Sequence, residues 1–316
     1  MTQTFCFLLL PGFSMMGLMS AIEPLRVANR FRGDLYRWHL LSRDGAAVAA
    51  SNGMSLNVDG ALELVEATEA LFVVAGFDPL AHHDSRLAHW LQRCETELKV
   101  LGGIDTGSFV LAEAGLFQQQ RLTLHWEAID AFRERYPALQ VTQELFEIDG
   151  RRITSAGGTS SLDLMLGLIA QDHGEPLAVQ VSEQFVVSRI RTRLDHQRMQ
   201  VASRYGLHNR KLIRVIGEME RHSEQPLSGE VLAERVGVSV RQLERLFRHH
   251  LATTPSAFYL GLRLDKARQL LRQSDLSVLE VSLACGFESS SYFSRSYKAH
   301  FGSTPSRDRH EHPSHA

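Results

Sequence analysis

The chain has 316 residues, 44% of them hydrophobic and 22% charged, which is long for one domain and enough for two, each with its own core. Its net charge of -2 is unevenly spread, since residues 1–188 carry 13 basic and 23 acidic side chains whereas residues 189–316 carry 21 and 13; only the second part has a balance suited to phosphate, with an affinity that should fall steeply with salt. The scattered Cys6, Cys94 and Cys285 form no CxxC or His pairing, which excludes a disulfide framework, a zinc site and an implied cofactor and fits a reducing cytoplasm, and the apolar run at residues 5–10 is too short for a membrane span and has no basic leader.

That run, Phe5-Cys-Phe-Leu-Leu-Leu10, is closed by Pro11-Gly12 and has the pattern of a buried parallel strand. A helix is expected over 16–31, strands over 36–42 and 71–74, a helix over 79–94, a strand over 98–104 and a helix over 107–115. A short strand at 122–124, a helix at 127–136, a hairpin turned at Asp149-Gly150 and a helix at 159–173 continue the alternation. Strands and helices alternating at this length specify an α/β doubly wound, flavodoxin-like parallel sheet, with ligands at the carboxyl ends of the strands. One more helix, 176–187, completes a first domain of residues 1–187. It offers Val179, Val181, Phe185 and Val186 for burial or for a dimer face. Residues 188–208 are polar and arginine-rich without an apolar period, the composition of a solvated linker or of an arm touching phosphate.

Three turns of the sheet carry candidate chemistry. Leu101-Gly-Gly-Ile-Asp105-Thr106-Gly107-Ser108 takes a strand into a helix through a glycine-rich bend that presents one side chain, the geometry of a nucleophile elbow. Ser155-Ala-Gly157-Gly158-Thr159-Ser160 ends a strand and starts a helix, so its amides carry partial positive charge. The third is His125-Trp126-Glu127. Phe13-Ser14-Met15-Met16, just after the first strand, is placed either to line a pocket or to anchor its loop.

The C-terminal domain, residues 209–306, opens with a helix carrying Leu212, Ile213, Val215, Ile216 and Met219, and then contains one pattern twice. Aligning Ser239 with Ser289 sets Leu243 on Phe293, Arg245 on Arg295, Phe247 on Tyr297, Arg248 on Lys298 and Pro255 on Pro305. Each copy has a short helix, a turn with Gly237 or Gly286, and a longer helix opened by a Ser N-cap and followed by Pro, which is the shape of a helix-turn-helix. Leu243, Leu246, Phe247 and Leu251 fall on one stripe of the first long helix, as Phe293, Tyr297 and Phe301 do on the second. What remains outside is Arg241, Gln242, Glu244, Arg245 and Arg248, then Ser290, Ser291, Tyr292, Ser294, Arg295 and Lys298. A helix over 256–272 joins the copies, a strut able to hold two reading helices in successive major-groove segments of double-stranded DNA. The charged, His-rich residues 307–316 are expected to be disordered rather than a metal site.

The stretch Gly286-Phe287-Glu-Ser-Ser-Ser-Tyr292-Phe293-Ser-Arg295-Ser-Tyr297-Lys298-Ala-His-Phe301-Gly302-Ser-Thr-Pro305 resembles the end of an AraC/XylS-type DNA-binding domain. That resemblance places Arg241, Gln242, Glu244 and Arg245, and Ser290, Ser291, Tyr292, Ser294 and Arg295, where the family reads bases. Residues 5–172, with the elbow, Glu23 and the His125 triplet, resemble the ThiJ/PfpI branch of class I glutamine-amidotransferase-like folds, which has a reactive Cys at the elbow. Glu23 stands at that family's acid and His125 at its His, but Asp105 stands at the Cys. A carboxylate attacks carbonyl carbon only in a few activated chemistries, so a receptor and not an enzyme is expected. Together the two resemblances match the amidase-like subgroup of AraC-type regulators, which responds to arginine, glycine betaine, carnitine and related amines.

The residue chemistry agrees with such a ligand. A cationic head fits between the Trp126 indole face and the carboxylates of Asp105 and Glu23, beside His125, and a ligand carboxylate fits the amides of Thr106-Gly107 or Gly158-Thr159. The expectation is a homodimeric, cytoplasmic activator that binds promoter DNA and a small zwitterionic or cationic amine, and that engages RNA polymerase as the resemblance implies. Plainer readings of single residues remain open at this stage: Trp126 as a core aromatic, Glu23 paired with Arg26, and Asp105 as a helix cap. So do two other functions, a hydrolase using Asp105 and His125 and a regulator whose first domain only dimerises.

Overall fold

The opening apolar run is β1 (Gln3–Leu9), with Phe7, Leu8 and Leu9 fully buried. Ser14 then caps α1 (Met15–Arg32), its hydroxyl accepting from the Gly17 amide. The structure, a computed structural model, describes residues 2–63 and 67–311. β2 (Tyr36–Leu41) lies parallel to β1; the two-residue strands β3 (Val48–Ala49) and β4 (Ser55–Leu56) pair as a small hairpin; β5 (Thr68–Val74) flanks β1 on its other side. After a 3-10 turn at Pro79–His82 come α2 (Ser85–Glu97), β6 (Val100–Ile104), α3 (Gly107–Glu113), β7 (Arg121–Leu122), α4 (Ile129–Arg135), β8 (Gln140–Val141), β9 (Phe146–Asp149), β10 (Arg152–Ser155), α5 (Ser160–His173) and α6 (Glu175–Gln184).

The main sheet has the order β2-β1-β5-β6-β10-β9. All its neighbours are parallel except β9, which joins β10 through the Asp149-Gly150 turn. This is the doubly wound architecture: parallel strands crossing over through helices bury both sheet faces, and Phe5, Phe7 and Phe72 stack across β1 and β5 at 5.7 and 6.2 Å. Two expected helices are interrupted at their starts. Asp84 caps α2 by accepting from the Leu87 amide, which places the boundary inside the expected 79–94 helix. The 127–136 helix begins as a 3-10 turn at Trp126–Ala128. In α6 Leu177, Ala178, Val181 and Ser182 are buried, while Val179 and, just after the helix, Val186 are exposed, so of the two uses foreseen for them burial does not hold.

The chain divides between Gln197 and Arg198, inside the stretch read as a linker. Residues 188–197 lie on the first unit: Arg191 pairs with the buried Asp163, Arg193 with the buried Glu147, and the Arg193 carbonyl accepts from the Leu145 amide. Ion pairs and backbone hydrogen bonds hold them, which is why no apolar period announced an ordered segment. From Arg198 onward the chain belongs to the second unit, where Leu207 is buried beside Leu212.

That second unit is helical: α7 (Val201–Arg204), α8 (Arg210–Arg221), α9 (Gly229–Arg235), α10 (Val240–Leu251), α11 (Pro255–Gln273), α12 (Val278–Ala284), α13 (Ser290–Phe301) and α14 (Pro305–Glu311). The first helix-turn-helix packs Leu232, Ala233, Leu243 and Phe247 on Leu212, Val215, Ile216 and Met219 of α8. The second buries Val281, Phe287, Phe293 and Tyr297, and Arg263 of α11 locks its turn by donating to the carbonyls of Cys285 and Gly286.

Disorder was expected from residue 307, yet α14 continues to Glu311; residues 312–316 of the same reading lie outside the described residues. The reason is Asp308. Burial alone would raise its carboxyl pKa, but hydrogen bonds from the Tyr297 hydroxyl and Arg272, with the charges of Arg272 and Arg268, outweigh that and hold it below the ordinary value. Asp308→Ala leaves those donors facing a lost acceptor, so equilibrium unfolding in urea should show a loss on the order of 2–3 kcal/mol. A change under about 0.5 kcal/mol, typical of a plain surface site, would refute this role.

Candidate functional site

β6 enters α3 through Asp105, which has φ +62°, the left-handed region that side-chain-bearing residues avoid. Such a conformation costs on the order of 1–3 kcal/mol and persists only where the surroundings enforce it. Here they do so by close packing. A Cβ on Gly107 would lie 2.0 Å from the Val73 carbonyl oxygen, and one on Gly157, itself at φ +81°, would lie 2.5 Å from Asp105 Oδ2. The turn after β10 thus presses directly on the elbow side chain.

Burial is the largest influence on Asp105 and, aided by the charge of Glu127, drives its carboxyl up to about 7; hydrogen bonds from the Ser14 hydroxyl and the Thr106 amide oppose the rise. His125 and Trp126 stand half-buried with ring centroids 5.6 Å apart. The His125 Nδ1 is 3.9 Å from Glu127 Oε2. Burial lowers the His125 pKa and Glu127 opposes this, so His125 is neutral at neutral pH. The arrangement is a partly desolvated cluster of two carboxyls beside aromatic rings, suited to holding one cation.

The expected site residues do not all meet there. Glu23 accepts both Nε and Nη2 of Arg26, one turn along α1, and is not among the groups acting on Asp105. Glu127 is the carboxylate whose charge acts on Asp105. Phe13 is fully buried and its backbone bridges Ala50 and Gly76, which anchors the loop. Thr106 is buried with its hydroxyl donating to the Gly76 carbonyl, leaving its amide for Asp105. Gly158 faces open space, and the Thr159 hydroxyl accepts from Arg191. Glu127 was signalled only by its triplet, and Ser14 only as part of the Phe13–Met16 stretch that either lines the pocket or anchors its loop; the structure sets both acting on Asp105.

In the second unit α10 exposes Arg241, Gln242, Glu244, Arg245 and Arg248, which with Ser239 line an open concavity of about 450 Å³. The Gln242 side-chain Oε1 accepts from the Ser239 amide in a capping box, which fixes the side chain and leaves its NH2 unengaged by the cap. α13 exposes Ser291, Tyr292, Arg295 and Lys298, with Ser290 and Ser294 half-buried. α11, 19 residues long and so about 28 Å, joins the two helices. Among the described residues no group of three or more His, Cys, Asp or Glu is placed to hold a metal, and no helix is long and apolar enough to cross a membrane.

Residues 4–171 match the DJ-1/PfpI family and residues 232–311 a helix-turn-helix domain family. The chain is 71% identical over 309 residues to the HTH-type transcriptional regulator CdhR of Pseudomonas aeruginosa, covering 98% of this chain and 92% of that protein. It is 41% identical over 312 residues to the HTH-type transcriptional regulator GbdR of the same species, covering 98% and 85%.

The chain belongs to the AraC-type transcriptional regulators with an N-terminal DJ-1/PfpI domain. Among solved structures, an AraC family transcriptional regulator from Pseudomonas putida superposes with a TM-score of 0.53 at 29% identity, over 58% of this chain and 99% of that one. In this regulator α10 and α13 both lie in the helix-turn-helix domain, and the DJ-1/PfpI domain carries Asp105 at its elbow.

Proposed function

We propose that this AraC-type regulator is a cytoplasmic, homodimeric activator of genes for the breakdown of a small amine or amino-acid derivative of the glycine betaine, carnitine or arginine kind. The amine's cationic head sits against Trp126 and His125 with Asp105 and Glu127 as counter-charges, and any carboxylate it carries meets the amides around Gly158. Occupancy shifts the population of arrangements in which paired chains present α10 and α13 to promoter DNA and RNA polymerase. The observation that carries this reading is the carboxyl at the elbow: in place of a nucleophile it supplies a charge that a cation satisfies, and burial beside Glu127 gives that cation something to relieve.

Thermal shift and calorimetry with glycine betaine, carnitine and arginine test it. A binder at one hundred times its Kd should stabilise the protein by about 2.7 kcal/mol, and Asp105→Ala should abolish that gain while keeping ligand-free DNA binding. Turnover of any of these amines by the intact protein, lost in the same variant, would favour a hydrolase. Binding of none of them would leave the first unit as a dimerisation module.

A further inference from the structure

Residues 188–197 do more than join the units. They run along the edge of the first unit beside 144–145, with His196 bridging Glu144 in antiparallel fashion and the Leu145 amide donating to the Arg193 carbonyl. At two points they grip the walls of the Asp105 site.

At one end the Gln197 side-chain amide donates to the Thr123 hydroxyl at 3.0 Å, to the Leu124 carbonyl at 3.1 Å and to the Glu144 carbonyl at 2.8 Å. Thr123 is fully buried, and its carbonyl accepts at 3.0 Å from the hydroxyl of Ser108, three residues past Asp105 in the elbow helix. The residue after Leu124 is His125. At the other point Arg191 bridges the buried Asp163 and the Thr159 hydroxyl at 2.8 Å. Thr159 closes the turn whose Gly157 packs on the Asp105 carboxylate. Both loops that form the site are therefore tied to the same ten residues, and the next residue, Arg198, opens the DNA-binding unit.

We propose that residues 188–197 act as a strap that carries the state of the Asp105 site to the DNA-binding unit, with Gln197 sensing the 123–125 loop and Arg191 sensing the 157–159 turn. The inference rests on amine binding at Asp105 as proposed above. In this proposal a cation drawn between Asp105, Glu127 and His125 shifts the 125–127 loop or the 157–159 turn, and either movement changes hydrogen bonds whose other partner lies in the strap. A segment held by a few ion pairs and carbonyls, with little apolar burial, is one whose local opening takes little free energy. Gln197 and Arg191 are thus positioning residues that touch no ligand, and the coupling they carry is a difference in DNA affinity between ligand states.

The test uses the full-length protein with Gln197→Met, which removes the three donated bonds at similar size, and Arg191→Lys, which keeps a charge for Asp163 but cannot bridge it to Thr159. Affinity for glycine betaine, carnitine and arginine is measured by calorimetry, and affinity for a promoter fragment by anisotropy with and without each amine. The expected result for the double variant is an amine affinity within about threefold of wild type with the amine-induced change in DNA affinity reduced at least about fivefold, which is on the order of 1 kcal/mol of coupling. An undiminished change in DNA affinity would overturn the strap and leave the sensor standing. If the wild-type protein gives no binding heat with any of the three, sensor and strap fall together. A second measurement needs no variant: trypsin cleavage at Arg189, Arg191 and Arg193 should change at least about threefold on saturating the wild-type protein with the amine it binds, and an unchanged rate would likewise overturn the strap.

Discussion

Asp105→Asn should raise the melting temperature of the ligand-free regulator by a few degrees at pH 8 and at the same time remove its response to amines. In the folded chain the half-buried Asp105 carboxyl is pushed up to about 7, against an ordinary value of 3.8, by desolvation and by the charge of Glu127. Below about pH 4 both folded and unfolded chains hold the proton, and the shift has no effect on stability. As pH rises from 4 to 7 the unfolded chain ionises while the folded one resists, so Asp105 destabilises the fold progressively, and the effect is complete above about 7. Its size is on the order of 1–3 kcal/mol. Asn removes the charge, accepts the same hydrogen bonds from Ser14 and Thr106, and tolerates a φ of +62° better. Melts of both proteins from pH 4 to 9 check this: the two curves should converge at the acid end and separate above neutrality. A variant less stable than wild type at pH 8 would mean that the carboxylate contributes to the fold. The same titration predicts that a permanently charged amine binds more tightly at pH 8 than at pH 6, since the cation must draw the proton off Asp105.

Replacing Arg245 and Arg295 together by Ala should reduce specific DNA binding by about 2–6 kcal/mol without altering the melting temperature. The two occupy the same place in the repeat, both are exposed, and α10 and α13 keep their buried stripes at Leu243 and Phe247 and at Phe293 and Tyr297. If an arginine reads a base, its single variant loses roughly 1–3 kcal/mol on the preferred sequence and discriminates poorly at that position; if it contacts phosphate, all sequences weaken alike and the salt slope drops by about one. Binding on a panel of single-base operator variants at two salt concentrations separates these cases. Unchanged affinity of the double variant would show that the interface lies elsewhere.

The parts of the molecule visible in the sequence are those governed by local periodicity and apolar burial. The run at 5–10, the hairpin at Asp149-Gly150 and both helix-turn-helix copies depend on neighbouring residues, so these strands, the Ser caps and the buried stripes of α10 and α13 were legible. The site was only half so. Asp105 and His125 carried motifs, but Ser14, read only as one possible lining residue, acts on Asp105 from a turn 91 residues earlier, and Glu23 pairs with Arg26 one turn along its own helix. The strap and α14 were hidden for a common reason: their order comes from single buried charges, Asp163, Glu147 and Asp308, that meet arginines far away in sequence, and composition alone reads such segments as solvated.

The most direct test is the affinity of the full-length protein for DNA fragments from its own genomic neighbourhood, measured at low salt with and without glycine betaine, carnitine and arginine. At least one fragment should bind, with an affinity that falls steeply as salt rises and that one of the amines changes at least about fivefold. A protein that ignores every fragment under all these conditions, or that binds one identically whatever amine is present, would contradict a regulator whose grip on DNA is set at Asp105.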